Sequence, residues 1–257
     1  MTNREICSMI RAAEREAAKL MLEAHGVIAE NKTGSRDVVT EYDRRVQLLL
    51  EARIRTALPE AKFFCEEMNE QCDLGAEHVF IIDPIDGTMN FVRGFSRSCI
   101  SVAYRSNGVL SAGVIYNPYL DEMFSAVVGE GAYLNGRPIR VDESPLSQGV
   151  ACFGTAPYIP ELTERTFQTA EKLFRTTLDV RREGAAALDL CSVAAGRAVL
   201  YVELSLCLWD YAAGMLIVNE AGGLCLTEDG KELPFDGSRP TVLAGGRRAV
   251  EEYLEMR

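Results

Sequence analysis

The chain has 257 residues, room for one large domain or two small ones with a sizeable core. Its 47% apolar and 25% charged residues are ordinary for a globular protein, and no apolar run approaches the roughly 20 residues needed to span a bilayer. A net charge of −11 disfavours nucleic acid as a nonspecific partner, but not anionic small molecules, because a bound cation inverts the local field. The opening Met1-Thr2-Asn3-Arg4-Glu5 lacks the apolar core of a signal peptide, so a cytoplasmic protein with no membrane partner is expected. Eight scattered cysteines without C-x-x-C spacing are expected as reduced thiols rather than zinc ligands or disulfides.

Apolar residues at three- and four-residue spacing (Ile6, Ile10, Ala13, Ala17, Met21) predict a first helix over about residues 4 to 29. A polar loop from Asn31 to Arg36 follows, where Lys32 could neutralise nearby carboxylates or simply be solvated. A second helix is predicted from Thr40 to about Leu58. Thr40 suits its N-cap and Asp43 its N3 position, a Thr-x-x-Asp capping arrangement that also aims a carboxylate from a fixed place. Lys62-Phe63-Phe64 is predicted as a short strand with Cys65-Glu66-Glu67 at its end. Paired glutamates are usually solvated, yet this placement makes Glu66 a candidate acidic ligand.

Val79 to Ile82 reads as a buried strand running into Asp83, with Asp86 three positions later. Pro84 is expected to take the chain out of the ladder, and Gly87 to permit a turn closed to other residues. Two carboxylates at the mouth of a buried strand repel each other and lose water, so a cation should sit between them. Hard oxygen ligands favour Mg²⁺, and Gly87 and Thr88 offer N–H groups and a hydroxyl for a phosphate beside it. An isolated Asp-x-x-Asp-Gly is more often an ordinary turn. The whole string Asp83-Pro84-Ile85-Asp86-Gly87-Thr88-Met89-Asn90-Phe91 is far more specific.

Cys99 to Arg105 and Val109 to Tyr116 form a predicted hairpin at Asn107-Gly108, continued by Glu122 to Val128 and Ala132 to Val141 as an antiparallel meander. After Gly149 strands and helices alternate, a soft internal boundary within one domain spanning residues 1–257. A strand at 149–153 precedes a helix at 162–174 with Phe167, Ala170, Leu173 and Phe174 inward. A helix begins at Gly184-Ala185-Ala186, either as small-residue packing or with N–H groups that meet a ligand hydroxyl or anion. A strand ends at Glu203, and Leu208-Trp209-Asp210 opens a helix to Ala221 that stops at Gly222-Gly223. Two short strands (223–226 and 241–244) and a helix from Arg247 close the chain.

Taken in order, the motifs resemble the inositol monophosphatase family of lithium-sensitive, Mg²⁺-dependent sugar phosphatases. Asp83 to Phe91 is similar to its first signature, Trp209-Asp210-Tyr211-Ala212-Ala213-Gly214 to its second, and Asp37-Val38-Val39-Thr40-Glu41-Tyr42-Asp43 and Cys65-Glu66-Glu67 to two acidic motifs upstream. The resemblance implies an α+β fold, a layered αβαβα sandwich, and a homodimer. It implies Glu66, Asp83 and the carbonyl of Ile85 as ligands of one Mg²⁺, and Asp83, Asp86 and Asp210 as ligands of a second. A third ion near Glu66 is also implied. Gly87 and Thr88 would cradle the phosphate, with Asp86 and Asp210 close to it. Thr88 and Asp43 would orient the attacking water, and Gly184, Ala185, Ala186 and Glu203 would contact the sugar hydroxyls.

The implied reaction is hydrolysis of inositol monophosphate or a related polyol phosphate by a water activated between two metals, without a phosphoenzyme. The alternatives are a 3′-phosphoadenosine-phosphate or fructose-bisphosphate phosphatase of the same superfamily, and a noncatalytic metal-binding regulator. Two departures stand out. Cys65 occupies a common glycine position, which suggests redox sensitivity of the glutamate loop. That idea fails if peroxide inactivates Cys65→Ala as fast as the parent. Gly184-Ala185 replaces glycine followed by a hydroxyl residue, which removes one substrate contact.

Overall fold

The computed structural model describes residues 1–31, 38–68 and 71–256. Lys32 and Asp37 lie outside the described residues. Helix α1 (Asn3–Leu22) starts with a capping box in which Thr2 and Glu5 exchange hydrogen bonds. It stops seven residues before the expected end, and Gly26 stands just beyond at φ +62°, a left-handed conformation that suits glycine. A two-residue pair, β1 (Glu30–Asn31) and β2 (Val38–Val39), leads into α2 (Glu41–Ala57). Thr40 caps α2 as predicted, with Asp43 closing the box.

A seven-stranded sheet follows, from β3 (Lys62–Cys65), β4 (His78–Asp86), β5 (Cys99–Ser106), β6 (Val109–Asn117), β7 (Glu122–Val127), β8 (Ala132–Leu134) and β9 (Arg137–Ile139), in that spatial order. The meander from β5 to β9 is antiparallel as predicted; β4 also pairs antiparallel with β5, while β3 joins β4 in parallel. Between β4 and β5 stands a short helix, α3 (Thr88–Arg93). Pro84 does not take the chain out of the ladder. Asp83 pairs with Ser101 and Asp86 with Cys99, so Pro84 and Ile85 together oppose Ile100 alone. This bulge absorbs the missing proline N–H and re-aims both aspartates.

The second half builds a five-stranded sheet in the order β11-β10-β12-β14-β13. Its strands are β10 (Val150–Phe153), β11 (Asp179–Arg181), β12 (Leu200–Glu203), β13 (Leu224–Leu226) and β14 (Val242–Gly245), with helices α4 (Thr163–Thr176), α5 (Ala186–Ala194), α6 (Leu208–Glu220) and α7 (Arg247–Glu255). Helix α4 buries Thr166, Ala170 and Leu173, whereas Phe167 and Phe174, expected inward, are 59% and 63% exposed. Each residue turns about 100° around the helix, so docking through Ala170 and Leu173 carries Phe167 and Phe174 outward.

The layers run α1 and α2, the seven-stranded sheet, α5 and α6, the five-stranded sheet, then α4 and α7. The middle helices pack on both sheets through small residues. A Cβ on Gly214 of α6 would stand 2.5 Å from Leu190 Cδ1, and one on Gly113 of β6 would stand 3.0 Å from the Ala213 carbonyl. This α+β sandwich is the predicted architecture. No helix among the described residues is long and apolar enough to cross a membrane.

Candidate active site

The ends of β3, β4 and β12 and the N-termini of α2, α3, α5 and α6 converge on one cavity of about 170 Å³. Glu66, Asp83, Ile85, Asp86, Gly87, Thr88, Gly184, Ala185, Ala186, Glu203 and Asp210 all line it. Every predicted site residue is therefore in its wall except Asp43, which stands directly behind Thr88. The positive ends of α2, α5 and α6 face this region and suit it to anions. A larger cleft of about 320 Å³ between α1 and β7, beside Arg4, Arg11 and Glu130, contains none of the predicted residues.

Each acid is held by the backbone around it. Asp83 Oδ1 accepts the Ile85 N–H at 3.0 Å across the bulge. Asp86 Oδ2 accepts the Ala187 N–H at 2.7 Å, at the start of α5, so the anion that meets this helix N-terminus is the chain's own carboxylate. Asp210 Oδ2 accepts the Cys207 N–H at 2.7 Å in the first turn of α6. Glu203 accepts from the Tyr201 hydroxyl at 2.6 Å and the Ala156 N–H at 2.9 Å. Its carboxylate lies so close over Gly154 that any side chain there would collide with it.

Burial, then the charges of Glu66, Asp86 and Asp210, pushes the Asp83 carboxyl well above the usual carboxylate range. Asp210 is raised by burial and then by Asp86 and Glu66. Burial pushes Asp86 up to about 7, although the N–H groups of Ala187 and Ala186 oppose the shift. Such a cluster attracts positive charge. No three carboxylate, thiol or imidazole side chains among the described residues are drawn into a closed metal-ligand cage. Four carboxylates and a carbonyl on one cavity wall nevertheless form an all-oxygen donor set that fits a hard divalent cation such as Mg²⁺.

Thr88 Oγ1 lies 3.3 Å from Asp43 Oδ1 and 3.1 Å from the Ile85 carbonyl. Gly87 precedes it at φ +80°. A Cβ at Gly87 would stand 2.8 Å from the Arg97 carbonyl and 3.0 Å from Ala185 Cβ, so both its conformation and its neighbours require glycine.

Sequence reasoning missed Asn90, beside the cavity, and several residues of its wall, the buried Asp189 among them. Asn90 Nδ2 donates to the carbonyls of Arg97 and Glu183, each at 2.8 Å, and so ties the first signature to the loop before α5. Its presence in the signature string was the available signal. Thr155, Tyr158 and Arg182 also line the cavity, and no local motif announced them. Cys65 is fully buried, and burial drives its thiol far from the thiolate form, which gives no support to a redox-sensitive glutamate loop.

Comparisons with known proteins agree with this geometry. The model of the inositol monophosphatase family matches residues 3–256. A putative Nus factor SuhB of Neisseria meningitidis serogroup B is 37% identical over 252 residues, covering 94% of this chain and 96% of that protein. A fructose-1,6-bisphosphatase/inositol-1-monophosphatase of Thermotoga maritima is 40% identical over 204 residues, covering 79% and 76%. Among solved structures, the extragenic suppressor protein suhB of Bartonella henselae superposes with a TM-score of 0.90 at 32% identity, covering 98% and 97%. An IMPase/NADP phosphatase complexed with Mg²⁺ and phosphate gives 0.85 at 25% identity, covering 98% and 93%. The expectation of no nucleic-acid partner rests on the net charge alone. With a family model matched from residue 3 to 256 and relatives covered almost end to end, the chain belongs to the inositol monophosphatase family.

Proposed function

We propose that this protein is an Mg²⁺-dependent phosphomonoesterase that hydrolyses inositol monophosphate or a related sugar or polyol phosphate. The observation that carries this reading is the meeting of Glu66, Asp83, Asp86 and Asp210, from separate stretches of chain, in one cavity beside Gly87 and Thr88. These four carboxylates and the Ile85 carbonyl would hold the ions. When bound, Mg²⁺ supplies charge neutralisation for the phosphate and the leaving alkoxide and lowers the pKa of water. Gly87 and Thr88 receive the phosphate.

Thr88 and Asp43 form the proton path. The Thr88 hydroxyl has one proton and two acceptors in reach. As Thr88 gives its proton to Asp43, its oxygen takes one from the attacking water, so the proton ends on the Asp43 carboxylate, which becomes the neutral acid, and the water gains hydroxide character. Glu203, fixed by Tyr201 and the Ala156 N–H, faces the alcohol and accepts from its hydroxyls. A homodimer in the cytoplasm belongs to the same proposal, and light scattering of the purified chain tests the dimer.

The test is phosphate release from inositol 1-phosphate and glycerol 2-phosphate with Mg²⁺, with EDTA and with Li⁺. Release that needs Mg²⁺, stops with EDTA and falls with Li⁺ is expected. No release from any polyol phosphate overturns the activity, and EDTA-resistant release overturns the metal dependence. Asp86→Asn should lower turnover at least about a hundredfold, in the range typical of lost electrostatic groups at a reacting centre.

A further inference from the structure

Arg182 is the one basic side chain among the described residues lining the cavity, and the proposed reaction leaves it without a task. Its guanidinium is fixed in place. Nη2 donates to Thr155 Oγ1 at 3.0 Å, and Nη1 lies 2.7 Å from where a Cβ on Gly184 would stand. The group thus spans from the loop after β10 to the loop before α5, directly over the stretch expected to meet the alcohol. Among the described residues no carboxylate comes within ion-pair distance of it. The neighbouring Glu183 pairs instead with Arg97 at 2.8 Å.

Burial raises the Glu203 carboxyl, opposed first by the Tyr201 hydroxyl and the Ala156 N–H, which serve its two oxygens, and only then by the charge of Arg182. Arg239 lies 5.4 Å from the ring centroid of Tyr158, another wall residue. Gly184 lies between Gly87 and Arg182. Its carbonyl would touch a Cβ on Gly87 at 3.2 Å, while its α-carbon abuts Arg182. A phosphate seated at Gly87 would therefore leave the far part of its alcohol beside a planar fork of N–H donors, of which Thr155 uses one.

We propose that Arg182 is a specificity-determining residue that selects phosphomonoesters whose alcohol carries a second anionic group. The proposal rests on the phosphomonoesterase reading of the cavity. It narrows the substrate class from phosphates of neutral polyols to bisphosphates and related esters whose alcohol bears a further phosphate or carboxylate. An arginine fork suits a phosphate or carboxylate through paired hydrogen bonds, whereas a neutral hydroxyl gains little from its charge.

The experiment uses the full chain as parent, Arg182→Gln and Arg182→Lys. For each, kcat and KM are measured with fructose 1,6-bisphosphate, 3′-phosphoadenosine 5′-phosphate and inositol 1-phosphate in Mg²⁺. Calorimetric dissociation constants for the same three compounds are measured with Ca²⁺ in place of Mg²⁺. The expected result is a fall in kcat/KM for at least one bisphosphate about tenfold larger in Arg182→Gln than the fall for inositol 1-phosphate. The loss should lie in KM, and Arg182→Lys should recover part of it. The sugar and nucleotide arms separate the two sources of the second phosphate. Equal losses on all three compounds overturn the proposal. If the parent releases phosphate from none of them, the phosphatase reading fails and binding decides. A bisphosphate affinity that drops about tenfold more than the monophosphate affinity upholds the role of Arg182, and equal affinities overturn it.

Discussion

Asp43 holds Thr40 through Oδ2, with the Thr40 N–H at 2.7 Å, and reaches Thr88 through Oδ1. One carboxylate thus caps α2 and backs the hydroxyl proposed to handle the water. Asn at this position keeps one oxygen, which the two donors of Thr40, its N–H and its hydroxyl, should retain; the amide NH₂ then faces Thr88 and accepts nothing. Asp43→Asn should therefore lower kcat about a hundredfold or more while costing less than about 1 kcal/mol of stability. Asp43→Ala should add the full capping loss, about 1 kcal/mol, to a similar kinetic defect. Phosphate release and urea unfolding on both variants check this, and a near-parental kcat in Asp43→Asn would remove Asp43 from the proton path. At this scale the contiguous parts of the site were legible, because Asp83 to Thr88 is one string with a chemistry of its own. Asn90 shows the limit. One of its acceptors, the Glu183 carbonyl, is 93 residues away, and no local pattern names that partner. Arg182 is similar, since its neighbour Thr155 arrives only when β10 and β11 pair.

Helix α1 contains a residue that its pattern places inside and its chemistry would place outside. Glu14 follows Ile10 by four positions and precedes Ala17 by three, so it falls on the buried stripe, and it is 0% exposed. Neither carboxyl oxygen has a hydrogen-bond partner among the described residues. Burial pushes its carboxyl well above the ordinary range, only partly opposed by Arg11. The folded protein therefore binds the Glu14 proton more tightly than the unfolded chain, where a glutamate ionises above about pH 4.3. A folded-state pKa above the unfolded one makes stability fall as pH rises between the two values, by up to about 1.4 kcal/mol per unit. Glu14→Met removes this slope without changing the size of the residue much. The variant should match or modestly exceed the parent near pH 4.5 and gain on it as pH rises above that in urea unfolding. A difference independent of pH would mean that Glu14 is hydrated or paired. The same contrast between period and composition explains α4. Helical spacing was visible, but which of two adjacent faces docks depended on the sheet beneath it, and Phe167 and Phe174 turned outward.

In the whole molecule the second sheet begins at Val150, beside the seam expected near residue 149. Helices α5 and α6 come from the second half and cover the first sheet, where Ala213 of α6 meets Gly113 of β6. The site has the same composite character, with Glu66, Asp83 and Asp86 from one half and Asp210 and Glu203 from the other. We expect the chain to unfold as one cooperative unit, and its single tryptophan reports on the seam. Trp209 lies on α6, and its ring centroid is 5.7 Å from that of Phe64 on β3. Its fluorescence therefore follows the docking of the two halves, while far-UV circular dichroism follows secondary structure throughout. If the halves unfold together, both signals give one midpoint in urea. Mg²⁺ should raise that midpoint for both probes alike, because a cation that binds only the assembled acids stabilises the folded state by mass action. Asp210→Asn, which removes one charge from the cluster, should shrink the Mg²⁺-dependent rise. A fluorescence midpoint below the circular dichroism midpoint would show the halves separating before they unfold. A Mg²⁺ response unchanged in Asp210→Asn would take that residue out of the metal site.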